Sequence, residues 1–201
     1  MKLYLNTSSP FARYVRVVAL QLEQELEQAL ELVWCDPWGN DPELMASNPL
    51  CRIPTLVTDQ GIGLSESGLI VKYLLQQKPE HELAKSAYDP EVLQLCGLAH
   101  GLMELSFNTV INDKHVGKEQ RASYLGERRV AGIQRVLEQL EQSQPKSPTG
   151  SLNLADLALV VALQYLEFRL PELIQAPQYP QLHNWLMAIS AHKVFKETAF
   201  K

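Results

Sequence analysis

The 201-residue sequence is poor in the side chains that build covalent crosslinks and metal sites, with three cysteines and five histidines. Cys35, Cys51 and Cys96 are widely spaced and form no Cys-x-x-Cys pair, which argues against a disulfide framework or a thiolate zinc site. His81, His100, His115, His183 and His192 show no ligand spacing, so no metal is expected. Positive charge is scarce as well: a formal net charge of -5 leaves no basic face for a nucleic acid. No run approaches the roughly 18 apolar residues of a membrane helix. The opening Met1-Lys2-Leu3-Tyr4-Leu5-Asn6 lacks the apolar core and cleavage site of a signal peptide. The expected location is the cytoplasm, without membrane or nucleic-acid partners. Gly-x-Ser-x-Gly is missing too, and no His-Asp pair lies near the early serines, which disfavours a serine hydrolase.

What is present is an ordinary globular composition, 46% apolar and 20% charged, long enough for one good core or two small ones. Lys2-Leu3-Tyr4-Leu5 reads as a strand, and Asn6-Thr7-Ser8-Ser9-Pro10 as a polar break with a proline suited to a first helical turn. Val15, Val18, Ala19 and Leu22 then follow helical spacing, and residues 30–35 form a second strand. A parallel pairing of those strands needs the helix as its crossover, so a βαβ unit opens the chain. A short helix is expected at residues 42–47, a third strand at 55–58, a turn at 59–61, a brief strand at 62–64 and a helix marked by Leu69, Ile70, Tyr73 and Leu74. The order βαβ then ββα, with a proline opening the third strand, is that of an α/β thioredoxin-like domain.

Residues 81–89 form a linker between residues 1–80 and an all-helical domain at residues 90–201. Val92, Leu95, Cys96, Ala99, Leu102, Met103 and Phe107 make one helical stripe; Val130, Ile133, Leu137 and Leu140 make another. A loop follows at 144–150. Residues 154–166 are too uniformly apolar for a surface helix and belong at the centre of the helical domain. Asn153-Leu154-Ala155-Asp156 spaces an N-cap amide three residues from a carboxylate, a capping box. Leu182, Trp185, Leu186 and Ile189 supply a final amphipathic helix.

The informative stretch is Asn48-Pro49-Leu50-Cys51-Arg52-Ile53-Pro54-Thr55-Leu56, followed by Leu64-Ser65-Glu66-Ser67. A cis Ile53-Pro54 bond would turn the Ile53 backbone outward, where its N–H and C=O pair with an extended peptide. Glu66-Ser67 opens a helix whose free N–H groups and dipole suit a carboxylate. With Ser8-Ser9-Pro10-Phe11, Leu166-Glu167-Phe168-Arg169 and Tyr179-Pro180-x-Leu182-x-x-Trp185, these residues resemble the cytosolic glutathione transferases, specifically a bacterial serine-type branch. The resemblance spans nearly the whole chain.

It implies glutathione as co-substrate, with its cysteinyl backbone at Ile53 and Pro54, its γ-glutamyl end at Glu66 and Ser67, and Arg52 near the glycyl carboxylate. A hydroxyl at the strand–helix turn would stabilise the glutathione thiolate and lower its pKa. Ser-Pro-Phe favours Ser9, whereas counting back five residues from Arg13 in Ser-Ser-x-x-x-Arg favours Ser8. Asn153 and Asp156 would serve folding. An apolar electrophilic second substrate would meet Phe11, Met103 and Phe107 between the domains. The implied reaction is thiolate attack on an electrophilic carbon or a peroxide, of the kind used in detoxification, in a homodimer. Two alternatives share the fold: a non-catalytic ligand-binding or protein-interaction module, and a glutathione-dependent thiol reductase or isomerase. Cys51 has no role in this reading.

Overall fold

The structure, a computed structural model, describes residues 1–22, 30–143, 145 and 151–201. Most of the loop read at residues 144–150 therefore lies outside the described residues. The chain divides into two compact units, Met1–Tyr88 with Glu197–Lys201, and Asp89–Lys196. Residues 197–201, expected at the end of the helical domain, group with the first unit.

In the first unit, β1 (Lys2–Leu5) leads into α1 (Pro10–Gln21), and β2 (Glu31–Trp34) follows. A 3₁₀ turn at Pro37–Gly39 and α2 (Pro42–Ser47) precede β3 (Thr55–Val57), β4 (Gly63–Ser65) and α3 (Ser67–Gln77). The sheet order is β2-β1-β3-β4. β1 and β2 are parallel, as the α1 crossover demands, and β3 is antiparallel to both β1 and β4. α1 and α3 pack against each other, and Val15 and Val18 of α1 and Ile70 and Leu74 of α3 are buried. Leu69, read from spacing as part of that stripe, is exposed, and Val71 and Leu75 are buried in its place.

At the far end of the β3–β4 hairpin, Gly61 takes φ 77° and donates to Thr58 O at 2.9 Å, while Thr58 N–H reaches Ile62 O at 3.0 Å. A left-handed turn position of this kind suits glycine. Gly63 has a different constraint: a Cβ there would run into the Ser47 carbonyl.

The stretch read as a linker carries a short helix, α4 (Glu82–Ser86). It is capped by His81, whose Nδ1 accepts from Leu83 N–H at 3.1 Å, and anchored by buried Leu83.

The second unit holds α5 (Pro90–His115), α6 (Tyr124–Ser143), α7 (Leu154–Arg169) and α8 (Pro180–Ser190), with α9 (Lys193–Glu197) at the end. Residues 154–163 of α7 are buried without a break, and α7 packs on α5, which also packs on α6. This is the arrangement that the uniform hydrophobicity of α7 calls for. Asn153 Oδ1 accepts from Asp156 N–H at 3.0 Å while Asp156 Oδ2 accepts from Asn153 N–H at 2.9 Å. The two chain ends of the box are thus reciprocally satisfied. Burial pushes the Asp156 carboxyl above its usual value, against the bond from Asn153 N–H. The first unit is thus an α/β thioredoxin-like domain and the second is all-α.

Candidate functional site

Register decides where the candidate residues meet. Tyr4 of β1 is opposite Thr55 of β3, and Thr55 is opposite Ser65 of β4. Since β1 and β4 run toward this row and β3 runs away from it, three connections emerge at one end of the sheet: the 6–9 turn, residues 52–54, and Glu66-Ser67. Adjacent strands lie about 4.8 Å apart, so β1 and β4 are separated by about 10 Å at this end. An extended chain of three residues spans about 10 Å.

The 6–9 turn is ordered by Asn6, whose Oδ1 accepts from Ser8 N–H at 3.1 Å and Ser9 N–H at 2.8 Å. Ser9 is the N-cap of α1: its Oγ accepts from Ala12 N–H at 3.2 Å. Its backbone is extended, and Pro10 follows with a φ already suited to the helix. Ser9 is 9% exposed; its hydroxyl hydrogen remains able to donate, because the cap bond uses only a lone pair. Ser8 is half-buried. Phe11, in the first turn of α1, is half-buried too.

The middle connection is built by side chains that sequence reasoning missed. Asn48 and Thr55 are 4% and 0% exposed. Asn48 Nδ2 donates to Arg52 O at 3.2 Å and to Thr55 Oγ1 at 2.9 Å, and Thr55 Oγ1 donates to Arg52 O at 2.7 Å. Asn48 Oδ1 accepts from Leu50 N–H at 3.0 Å. Cys51 adopts φ 50° and its thiol donates to Pro37 O at 3.4 Å, so it ties this loop to the 3₁₀ turn. The Ile53–Pro54 peptide is cis. Ile53 is half-buried and lies outside the strands, and among the described residues its N–H and C=O have no hydrogen-bond partner.

Glu66 caps α3 with φ 66° and no side-chain cap bond. A left-handed glutamate is uncommon and is held by its surroundings rather than chosen locally. Its carbonyl accepts from Leu69 and Ile70 N–H, each at 3.0 Å, while its carboxylate is 4.0 Å from Arg52. Both side chains are solvated, so that pair contributes little. Ser67 is buried.

In the second unit, Met103 is fully buried. It is a core side chain rather than a wall open to substrate, and the substrate-binding expectation for it is corrected accordingly. Phe107, one turn further along α5, is half-buried. Among the described residues, no group of three or more His, Cys, Asp or Glu could hold a metal, and no helix is long and apolar enough to cross a membrane.

Fold and site together define a thioredoxin-like unit joined to a helical unit, with a hydroxyl-capped helix at the sheet end. Residues 3–82 match the family model of the glutathione S-transferase N-terminal domain, and residues 124–188 match that of the C-terminal domain. The chain belongs to the glutathione S-transferase family. A crystal structure of a glutathione transferase family member from Pseudomonas fluorescens Pf-5 with bound glutathione is 28% identical, with a TM-score of 0.84 over 100% of this chain and 98% of that one. A glutathione S-transferase from Methylobacillus flagellatus KT with glutathione bound is 29% identical, with a TM-score of 0.79 over 100% and 99%. An Escherichia coli K12 protein described as the uncharacterized GST-like protein YibF is 29% identical over 173 residues, 84% of this chain and 83% of that protein.

Proposed function

We propose that this chain is a glutathione transferase of the serine type, which binds glutathione along the sheet end and activates its thiol for attack on an electrophilic carbon or a peroxide of an apolar substrate. The observation that carries the reading is the convergence of Ser9, Ile53 and Glu66-Ser67 at one end of the sheet over the length of a tripeptide. The glutathione-bound relatives support it. Ile53 would pair with the cysteinyl backbone beside Pro54, Glu66 would meet the γ-glutamyl ammonium, and the first N–H groups of α3 with Ser67 would meet its carboxylate. Arg52 would face the glycyl end. Phe11 is the first unit's candidate for contact with the second substrate.

Ser9 is favoured over Ser8 because the cap bond fixes its oxygen and leaves its hydrogen to donate. A hydrogen bond to a charged acceptor contributes about 1.5–3 kcal/mol, equivalent to lowering the thiol pKa by about one to two pH units. The protein supplies no covalent nucleophile in this scheme. The thiolate forms the new bond to carbon, and the leaving group departs with the electron pair. On a peroxide the thiolate bonds to oxygen, the O–O bond breaks, and the alkoxide leaves and takes a proton; a second glutathione converts the resulting sulfenic acid to the disulfide and water. A cytoplasmic location goes with it, because reducing compartments keep thiols reduced. A homodimer goes with it as well, and the exposed Leu50 and Leu69 are surfaces of the kind a partner copy covers.

The test is an ultraviolet titration of bound glutathione on wild type, Ser9→Ala and Ser8→Ala. Wild type should lower the thiol pKa, Ser9→Ala should abolish the shift, and Ser8→Ala should retain it. Binding without any shift in wild type would replace the enzyme with a non-catalytic binder.

A further inference from the structure

Glu197–Lys201 belong to the same unit as the serine turn, and they grip that turn on both sides. Before it, Lys201 N–H donates to Thr7 O at 3.3 Å and the Thr7 hydroxyl donates to Lys201 O at 3.3 Å. After it, Arg13 Nε donates to the buried Thr198 hydroxyl at 3.2 Å, and the Arg13 guanidinium lies 4.3 Å from the centroid of the Phe200 ring. Arg13 N–H itself donates to Ser9 O at 3.0 Å, closing the first backbone bond of α1.

These contacts have a physical stake. Arg13 is 5% exposed, and burial, with the charge of Arg16 second, lowers its pKa to about 10. A buried guanidinium is costly unless hydrogen bonds and an aromatic face offset its desolvation, and Thr198 and Phe200 provide one of each. A turn of small polar residues is otherwise among the most easily displaced parts of a fold. Thiolate stabilisation falls off quickly when the donor leaves hydrogen-bond range.

We propose that residues 198–201 form a strap that positions the Ser8-Ser9 turn through Thr7 and Arg13, so that Thr198 and Phe200 are positioning residues for activation of the bound thiol. The inference rests on the transferase reading and extends it to a segment remote in sequence from every residue of the binding surface. It separates two properties of the site. Peptide contacts at Ile53, Glu66 and Ser67 set affinity, whereas the strap sets the ionisation of the sulfur.

The experiment uses the full chain with Phe200→Ala and Thr198→Val, and the conservative Phe200→Tyr and Thr198→Ser. Each is measured for the thiol pKa of bound glutathione, by thiolate absorbance, and for the Kd of S-methylglutathione, which offers the same peptide but no ionisable thiol. In Phe200→Ala and Thr198→Val the thiol pKa should rise by about one pH unit, a roughly tenfold loss of thiolate below that pKa, with the S-methylglutathione Kd unchanged. Phe200→Tyr and Thr198→Ser should restore the wild-type pKa. A wild-type pKa in both disruptive variants overturns the strap alone. A parallel loss of S-methylglutathione binding also overturns it, since the segment would then be supporting the whole unit. Wild type that fails to lower the thiol pKa overturns the transferase reading and this inference with it.

Discussion

Removing the Asn48 side chain tests the middle of the binding surface most directly. Asn48→Ala deletes the bonds to Arg52 O and Thr55 Oγ1 and the one accepted from Leu50 N–H. At about 1 kcal/mol for each bond, and with the Leu50 amide able to turn to water, the expected cost is about 2–3 kcal/mol. Thr55→Val removes the bond to Arg52 O and the acceptor for Asn48, at about 2 kcal/mol. The Asn48–Thr55 bond is counted in both, so the double variant should be less destabilised than the sum by about 1 kcal/mol. Hydrogen exchange at the β1 and β3 amides is the suitable assay, because a melt of a two-unit chain does not report one unit's free energy. Asn48→Ala should also weaken S-methylglutathione binding about tenfold, or about 1.4 kcal/mol, by removing one of the two hydrogen bonds that hold the carbonyl of Arg52 next to Ile53. Additivity of the two substitutions to within about 0.5 kcal/mol, or a cost for Asn48→Ala of under about 1 kcal/mol, would refute this account of the loop.

Glu66→Gly relieves a left-handed glutamate and should raise the opening free energy of α3, read by hydrogen exchange at its amides, by about 1 kcal/mol while lowering glutathione affinity by calorimetry; a gain in both would show that Glu66 does not touch the ligand. Arg121→Met removes a part-buried pair with Asp113 and a 2.7 Å bond to Glu172 and should cost about 2 kcal/mol through Asp113. Desolvation pushes the Glu172 carboxyl up, but the Arg121 hydrogen bond and charge outweigh it, so its pKa lies below the usual value. Its contribution is therefore present above the unfolded glutamate pKa and lost as the pH falls through the lower folded value. The stability gap between wild type and Arg121→Met should narrow in acid, as hydrogen exchange at the α5 amides, corrected for intrinsic rates across pH, will reveal. Asn153→Ala should cost about 1 kcal/mol by hydrogen exchange at the α7 amides, and Asn153→Ser should recover most of it.

The parts of the fold legible in the sequence are those that local chemistry dictates. Pro10 at the first turn of α1 and the Asn153–Asp156 box each announce a helix start in adjacent residues, and the uniform apolar run of α7 announces its own burial. Helix α4 was hidden because its cap is a histidine, a residue outside the usual capping set, and its helix has only Leu83 buried. On α3, Leu69 and Val71 both fit a helical stripe, and only packing against α1 decides between them. At the sheet end, the motif Asn-Pro-x-x-x-Ile-Pro pointed to Ile53 and Pro54 but not to the Asn48–Thr55 bond, whose partners meet only once the loop has folded back. Arg13 and Thr198 are 185 positions apart, a pairing for which no local pattern exists.

The hairpin turn at Thr58–Ile62 lies at the opposite rim of the sheet from all three connections that carry the candidate site. Strands β3 and β4 therefore act as a spacer one strand long between chemistry and a replaceable tip. That tip is the natural handle on this molecule. A reporter peptide inserted after Gln60, where the chain is exposed, can be tethered, labelled or lengthened while the Tyr4–Thr55–Ser65 row and the ligand contacts beyond it keep their spacing.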